Sequence, residues 1–245
     1  LKRIAVIICA AGPGRRFAGK RKKQFVNVAG RAVFLRSVEL FANRDDVKQV
    51  LLGIAADDEE LVKVRWGANL SLFNVKVFLG GATRFETINK ALELLREDIE
   101  LVAVHDAARC CITEKWLDDV IAAAAKTGAA ILASPVSSTI KQVKNGLITK
   151  TVDRSTLYEA QTPQVFEKAL LKEAHAKAKA KEPEKISDDS LLVEALGHKV
   201  TIVETDPSNI KITHAGDIAI AEAILKSRPR PGPKGPIGPY AEAQW

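Results

Sequence analysis

The sequence predicts an α/β fold: a mostly parallel, twisted sheet with helices on both faces and a protruding β-hairpin arm. Two observations predict the sheet. Five apolar runs alternate with helical patterns between residues 4 and 136, and the first is continuous, as a strand buried on both faces requires. Alternation of this kind closes through right-handed crossovers into a parallel sheet covered on both sides. A third observation predicts the arm. The alternation breaks at 136–156, where Asn145-Gly146 lies between two β-patterned runs, the strongest short-range hairpin signal.

The elements follow in order. IAVIICA (4–10) is the first strand, followed by a glycine-rich basic loop (12–23) and a helix carrying Val33, Phe34, Val38 and Phe41 on one side. VKQVLLGIA (47–55) is the second strand, and 57–66 a helix whose leading acids suit its positive end. VKVFLG (75–80), a helix at 83–97, LVAVHD (101–106), a helix at 114–126 and AAILASPV (129–136) continue the pattern. After the arm come helices at 166–180 and 187–196, strands KVTIVE (199–204) and NIKIT (209–213), and a closing helix at 214–225. One domain is expected over 1–225. The remainder, 226–245, holds five of the ten prolines and reads as a disordered tail.

At 245 residues, with 47% hydrophobic and 27% charged residues, the chain is too apolar for general disorder. A chain of this length buries roughly three-quarters of its unfolded surface and needs no disulfide or metal to fold. No apolar run reaches the ~18 residues of a membrane span, so no membrane partner is expected. The opening apolar run flows straight into the glycine loop and reads as a strand, not a leader. Cys9, Cys110 and Cys111 make no disulfide framework, which suggests a reducing, cytoplasmic setting. The four histidines show no metal-ligand spacing.

The net charge of +7 is unevenly placed. Residues 1–36 carry ten Lys/Arg and no acid, whereas 37–225 carry a net −6. A nucleic-acid binder spreads its positive charge along a face and adds aromatic platforms. Charge gathered in one loop suits a polyphosphate pocket instead, so no nucleic-acid partner is expected.

Four motifs carry chemistry. The first runs from Ala10-Ala11-Gly12-Pro13-Gly14-Arg15-Arg16-Phe17 to Lys23-Gln24-Phe25. It follows a buried strand at the edge where open α/β sheets bind ligands. Its glycines let backbone N–H groups approach phosphate oxygens, and Arg16 and Lys23 add fixed positive charge. For a lone G-x-G, an ordinary turn with surface charges is the commoner meaning. The second is Val104-His105-Asp106-Ala107-Ala108-Arg109. A carboxylate at a strand end beside a triphosphate serves best as a Mg²⁺ ligand. The alternative for Asp106 is a helix cap or an ion pair with Arg109. His105 reads as a structural hydrogen-bonding residue.

The third motif joins Thr151-Val152-Asp153-Arg154 to Gln161-Thr162-Pro163-Gln164-Val165-Phe166. Thr162 precedes a proline and is extended, which can turn its hydroxyl into a pocket. Arg154 offers a two-pronged fork for a phosphate, with a hairpin ion pair to Asp153 as the plain alternative. The fourth is Asn209-Ile210-Lys211-Ile212-Thr213, where Lys211 lies among apolar neighbours, an odd place for a lysine unless an anion meets it. A lysine guarding an edge strand is the alternative.

In this order and spacing the four motifs closely resemble the 2-C-methyl-D-erythritol 4-phosphate cytidylyltransferase family, nucleotidyltransferases of the non-mevalonate isoprenoid pathway. The resemblance runs from about residue 3 to 225. It implies a Rossmann-like fold and a reaction in which CTP and methylerythritol phosphate give the cytidyl diphosphate product and pyrophosphate. It implies that Arg16, Lys23 and Lys211 surround the α-phosphate, and that Ala10, Ala11, Gly12 and Gly14 cradle the triphosphate. Gly80, Gly81 and Thr87 would read cytosine. Asp106 would face the ribose and a Mg²⁺ ion, and Thr162 would bind the methylerythritol phosphate. Arg109, Thr139 and Arg154 would hold the substrate phosphate, part of that set arriving on the arm of a homodimer partner. Two positions depart from the family pattern: Ala82 stands where an acid is common, and Cys110 where proline is usual. A ribitol-5-phosphate cytidylyltransferase is the nearest alternative, disfavoured by Asp153 and Ala160. A non-catalytic nucleotide-binding protein is another, disfavoured because Arg16, Lys23 and Asp106 are all kept.

Overall fold

The computed structural model describes residues 2–14, 17, 22–178 and 186–228. Arg16 and nearly all of the 226–245 tail lie outside these described residues. A seven-stranded sheet forms the centre, built from β1 (Ile4–Cys9), β4 (Val47–Ile54), β5 (Val75–Leu79), β6 (Leu101–Asp106), β7 (Ala129–Pro135), β10 (Tyr158–Glu167) and β11 (Thr201–Glu204). Its spatial order is β11-β7-β10-β6-β1-β4-β5. Strand β1 pairs in parallel with both β4 and β6, while β10 runs antiparallel between β6 and β7. The sheet is thus α/β and mostly parallel, as expected.

Strand β1 shows why its run is continuous. Ile4, Val6 and Ile8 enter one core with Phe25, Phe34, Phe41 and Trp66, whereas Ala5 and Ile7 enter a second core with Phe85, Ile88 and Phe166. A period of two with both faces covered leaves no position for a polar side chain. The first core lies under α1 (Val33–Ala42), α2 (Glu59–Leu72) and α4 (Glu114–Thr127). The second lies under α3 (Arg84–Glu93), α5 (Lys168–Lys177) and α6 (Ser190–Ala195). Helix α7 (Asp217–Ser227) closes a third, small cluster with Val28, Val33 and Cys111.

Several expectations need correction. The segment 158–167 is a central strand rather than a lead into a helix, and α5 starts only at Lys168. Pro163 and the polar residues around it hide the strand, because proline is rare inside a sheet. The β10–β7 register shifts between Ala160 and Gln164, so Gln161–Pro163 leave the ladder. Residues 209–213 form no strand. They are held instead by the side chain of Asn209 and by Ile212 N–H donating to the Ala108 carbonyl at 2.9 Å. The helix at 83–97 stops at Glu93. A small ribbon, β2 (Asn27–Val28) with β3 (Arg31–Ala32), precedes α1, turning through Ala29 and Gly30 at φ 48° and 79°. The arm is a separate two-stranded sheet, β8 (Ile140–Lys144) and β9 (Leu147–Val152), turning at Asn145 and Gly146. Among the described residues no helix is long and apolar enough to cross a membrane.

Candidate active site

The chain passes from β1 to β4 and β5 on one side, then returns to place β6 on the other. Ligands bind at the carboxyl ends of strands where the order reverses in this way. Three segments meet there: the glycine loop after Cys9, the Gly80–Gly81 turn after β5, and Asp106 at the end of β6. They enclose a cavity of about 210 Å³ lined by Ala10–Pro13, Lys23, Gly81, Thr87, Asp106 and Lys211 among others.

The glycine loop is held by Gln24, which is buried and donates from Nε2 to the Ala10 carbonyl at 2.7 Å. The Lys-Gln-Phe motif therefore has a division of labour: Lys23 faces the cavity, Gln24 fixes the loop, and Phe25 packs in the core. The facing turn is equally constrained. A Cβ on Gly80 would stand 2.7 Å from the Ala11 Cβ and 2.8 Å from Thr87 Oγ1, so the two loops touch only because residue 80 has no side chain. Thr87 is buried, with its hydroxyl donating to the Thr83 carbonyl at 2.9 Å and accepting from Gly81 N–H at 3.0 Å. It shapes the Gly80–Ala82 turn from within. Glu86 accepts from Ala82 N–H at 2.8 Å and donates its own N–H to the N-cap hydroxyl of Thr83 at 3.2 Å. A carboxylate four residues on thus supports the turn at the position where Ala82 has none.

Asp106 lies between two cations. Its Oδ2 is 2.5 Å from Lys211 Nζ and its Oδ1 is 3.5 Å from Arg84 Nε. Burial alone would raise its pKa, but Lys211 and Arg84 outweigh burial and hold the carboxyl well below the usual carboxylate range. Lys211 thus meets an anion, as its apolar surroundings suggested, although on an irregular segment rather than a strand. Burial also pushes the neighbouring Cys9 thiol up to about 12. Beyond Asp106 is a second cavity of about 180 Å³, bordered by Arg109, Gln161, Thr162, Gln164 and Asp188, with Arg84, Asp106 and Lys211 shared between the two.

The second motif pair is explained by hydrogen bonds. Gln161 Oε1 accepts from Thr205 Oγ1 and Asn209 Nδ2, both at 2.8 Å, which brings the Lys211 segment to the site. Gln164 Oε1 accepts from the N–H groups of Asp189 and Ser190 at 3.0 and 3.2 Å. Thr162, between these two anchors, accepts from Asp106 N–H at 3.0 Å. Arg109 donates to the carbonyls of Asn209 at 2.6 Å and Ala160 at 3.3 Å, and its Nε is buried without a partner among the described residues. Burial lowers the pKa of this guanidinium, with Asp106 and Glu159 opposing.

Thr139 and Arg154 are not brought to either cavity of their own chain. Both are exposed on the arm, and Arg154 donates to the Ser137 carbonyl. Sequence reasoning missed Arg84 and Asp189, and it gave Gln24 no role of its own within the Lys-Gln-Phe motif. Arg84 carried a signal: it opens α3, where the helix dipole disfavours a cation, so it needs anions close by.

A family model of 2-C-methyl-D-erythritol 4-phosphate cytidylyltransferase matches residues 4–227. The chain belongs to that family. A relative of that description from Endomicrobium trichonymphae is 41% identical over 224 residues, covering 91% of this chain and 99% of the relative. Another from Rhodopirellula baltica is 39% identical, covering 91% and 94%. Among solved structures, 4-diphosphocytidyl-2C-methyl-D-erythritol synthase from Anaerococcus prevotii matches with a TM-score of 0.78 and 32% identity, covering 92% of this chain and 96% of that one. The Thermus thermophilus cytidylyltransferase matches with a TM-score of 0.75 and 33% identity, covering 90% and 98%. The family is one of nucleotidyltransferases in isoprenoid biosynthesis, and its reaction transfers CMP from CTP to 2-C-methyl-D-erythritol 4-phosphate, releasing pyrophosphate.

Proposed function

We propose that the two cavities are the two substrate sites of that reaction in this chain, CTP under the glycine loop and methylerythritol phosphate beyond Asp106. The observation that carries this reading is the shared wall: Arg84, Asp106 and Lys211 border both cavities, so groups bound in each meet at these three side chains. A phosphate oxygen of methylerythritol phosphate attacks the α-phosphorus of CTP. The bond from the α-phosphorus to the bridging oxygen breaks, and its electron pair leaves with pyrophosphate. Positioning and charge stabilisation supply the catalysis.

In this reading Arg16, Lys23 and Lys211 offset charge at the α-phosphate, and the backbone of Ala10–Gly14 cradles the triphosphate. Gly80, Gly81 and Thr87 form the cytosine turn. Thr162, Arg109, Thr139 and Arg154 serve the second substrate. Mg²⁺ is the metal whose chemistry fits, since it binds through one or two carboxylates plus substrate phosphates. Among the described residues no group of three metal-ligating side chains gathers, and Asp106 is the one carboxylate lining the CTP cavity, so the ion would be carried largely by the nucleotide. It would screen the triphosphate, and it would compete with Lys211 for Asp106.

The functional unit is one domain over 1–225 that pairs as a homodimer through its arm. Val143, Leu147 and Ile148, at 55%, 73% and 64% exposure on a two-stranded sheet, support that pairing. The three free thiols support a cytoplasmic setting. The test is a pyrophosphate-release assay crossing four nucleotides with methylerythritol phosphate and ribitol phosphate. Turnover is expected for CTP with methylerythritol phosphate; preference for ribitol phosphate would replace the second substrate, and no turnover with any pair would remove the reading.

A further inference from the structure

Asp106 is held by two cations of unlike kind. Lys211 has a side chain 37% exposed on a flexible stem. Arg84 is turned inward from the first turn of α3 and is tied at its far end, where Nη1 donates to Asp189 Oδ2 at 2.7 Å. Asp189 is itself enclosed, at 1% exposure, and takes a second bond from His175 Nε2 at 2.9 Å. The His175 ring lies flat on Phe85, with centroids 5.0 Å apart and planes 7° apart, and meets Asn89 at 2.8 Å on its other nitrogen. Arg84, Phe85 and Asn89 belong to α3, so Asp189 and His175 bind the start of that helix at two levels.

The guanidinium has few constraints besides these. Its Nη2 is buried with no hydrogen-bond partner among the described residues, where the orientation of the fork rests on two carboxylates, Asp189 and Asp106. An arginine anchored on a buried anion keeps its geometry when its other partner changes, because breaking one half of a buried pair is costly. A lysine on a solvated stem does not. When phosphates enter the cavity, Lys211 is therefore the cation able to leave Asp106, and Arg84 the one that stays.

We propose that Asp189 is a positioning residue of the transfer step: by holding Arg84 it keeps Asp106 in place while Lys211 moves from Asp106 to the phosphate. This rests on the placement of the two substrates given above. Asp189 touches neither substrate; it acts through Arg84, and both lie outside the set of residues that the four motifs suggested.

The test is a double-mutant cycle read by steady-state kinetics on folded protein, with Asp189→Asn, Arg84→Met and the double variant. Each single change is expected to lower kcat about 10- to 100-fold while KM for CTP stays within about threefold, because the loss is felt in the transition state. The double variant is expected to be no more than about threefold slower than Arg84→Met alone, since both act by one route. Losses that multiply would overturn the proposal, as would a rise in KM for CTP that exceeds the fall in kcat, which marks a residue that merely shapes the cytosine turn. Each single change leaves one buried charge without its partner and can prevent folding. The double variant removes both charges, and its kcat then decides alone: a value within about threefold of wild type overturns the proposal, and a larger fall with KM kept supports it. Lys23→Ala in the same assay separates the two readings. If it loses kcat while the double variant does not, the substrate placement stands and the role of Asp189 falls.

Discussion

The Thr162 hydroxyl lies 3.1 Å from Nδ1 of His105, while the Arg109 carbonyl lies 3.2 Å from Nε2 of the same ring. A carbonyl only accepts, so Nε2 carries the ring proton and Nδ1 accepts from Thr162. The hydroxyl's single hydrogen is thereby committed inside the protein, and one lone pair takes Asp106 N–H at 3.0 Å. One lone pair at most is left for a bound molecule, and the two bonds that the structure shows fix Asp106 and His105. Thr162→Val removes a buried donor and acceptor together and is expected to lower stability by about 1–3 kcal/mol in denaturant unfolding. Thr162→Ser keeps the hydroxyl and is expected to recover most of that loss; equal losses in the two variants would count against the hydrogen-bond account.

The same ring predicts a pH dependence. Burial, with Arg109 and Lys211 adding to it against Asp106, holds His105 down to about 4 from its ordinary 6.5. Between these values the unfolded chain takes up a proton that the folded chain refuses. Stability is therefore full above pH 6.5 and declines as pH falls toward 4, by up to about 3 kcal/mol for this group. Asp106 and Asp189, held below 3.8, add a further loss that begins only near that value. His105→Gln is expected to flatten unfolding free energy between pH 6.5 and 4 in chelator-containing buffer. A variant curve as steep as wild type there would assign the slope to other groups.

What the sequence disclosed follows from physical contrast. The glycine loop and Asp106 were legible because each ends a continuous apolar strand, a pattern with few other meanings. Strand β10 was hidden because Gln161, Thr162 and Pro163 interrupt its alternation just where it leaves the ladder. Residues 209–213 looked like a strand through alternating Ile210 and Ile212, yet their order comes from Asn209 bonding to Gln161, a contact 48 residues away. Asp189 was invisible for the same reason. Arg84 at a helix start signals that an anion has to be near, and only the fold shows that it turns inward to an acid 105 positions later. The glutamines of Gln161-Thr162-Pro163-Gln164 stand out in the sequence as a motif, but their work as ties between segments needs the folded geometry.

Lys23 lines the cavity beside the glycine loop. If it meets charge that grows at the α-phosphate, Lys23→Ala is expected to lower kcat by about 10²–10³ with a smaller change in KM for CTP. Near-normal kcat in this variant would eliminate Lys23 as the stabilising cation.

Close approach of the two loops at Gly80 predicts a defect confined to the nucleotide. A methyl at residue 80 meets Ala11 and Thr87 Oγ1 below 3.0 Å, so Gly80→Ala has to part the loops or turn Thr87. KM for CTP is expected to rise about tenfold or more, with KM for methylerythritol phosphate little changed. Wild type is expected to prefer CTP strongly over UTP, because a turn that presents fixed hydrogen-bonding groups leaves them unpaired against the wrong base. Comparable kcat/KM for the two nucleotides would mean that the turn, with Ala82 in place of an acid, does not select the base.

The arm supplies the last prediction. Among the described residues its strands bond only to each other, and an isolated hairpin is marginal in water. Pairing with the same hairpin of a second subunit would cover Val143, Leu147 and Ile148 in a two-fold contact. Arg154 at the base of the arm, outside both cavities of its own chain, would then serve the neighbouring subunit's site, while Lys23 stays in its own. Lys23→Ala and Arg154→Ala are each expected to be nearly inactive alone. Mixed with free subunit exchange, half the dimers contain one of each. In such a dimer one site of the two has an intact Lys23 from its own chain and an intact Arg154 from the other, so activity should return to roughly a quarter of wild type. If Arg154 serves its own chain, every site in the mixture lacks one of the two residues and no activity returns. Exchange is checked by pulling down one tagged variant and finding the other. With exchange confirmed, a silent mixture would remove the shared site and leave the Lys23 assignment untouched.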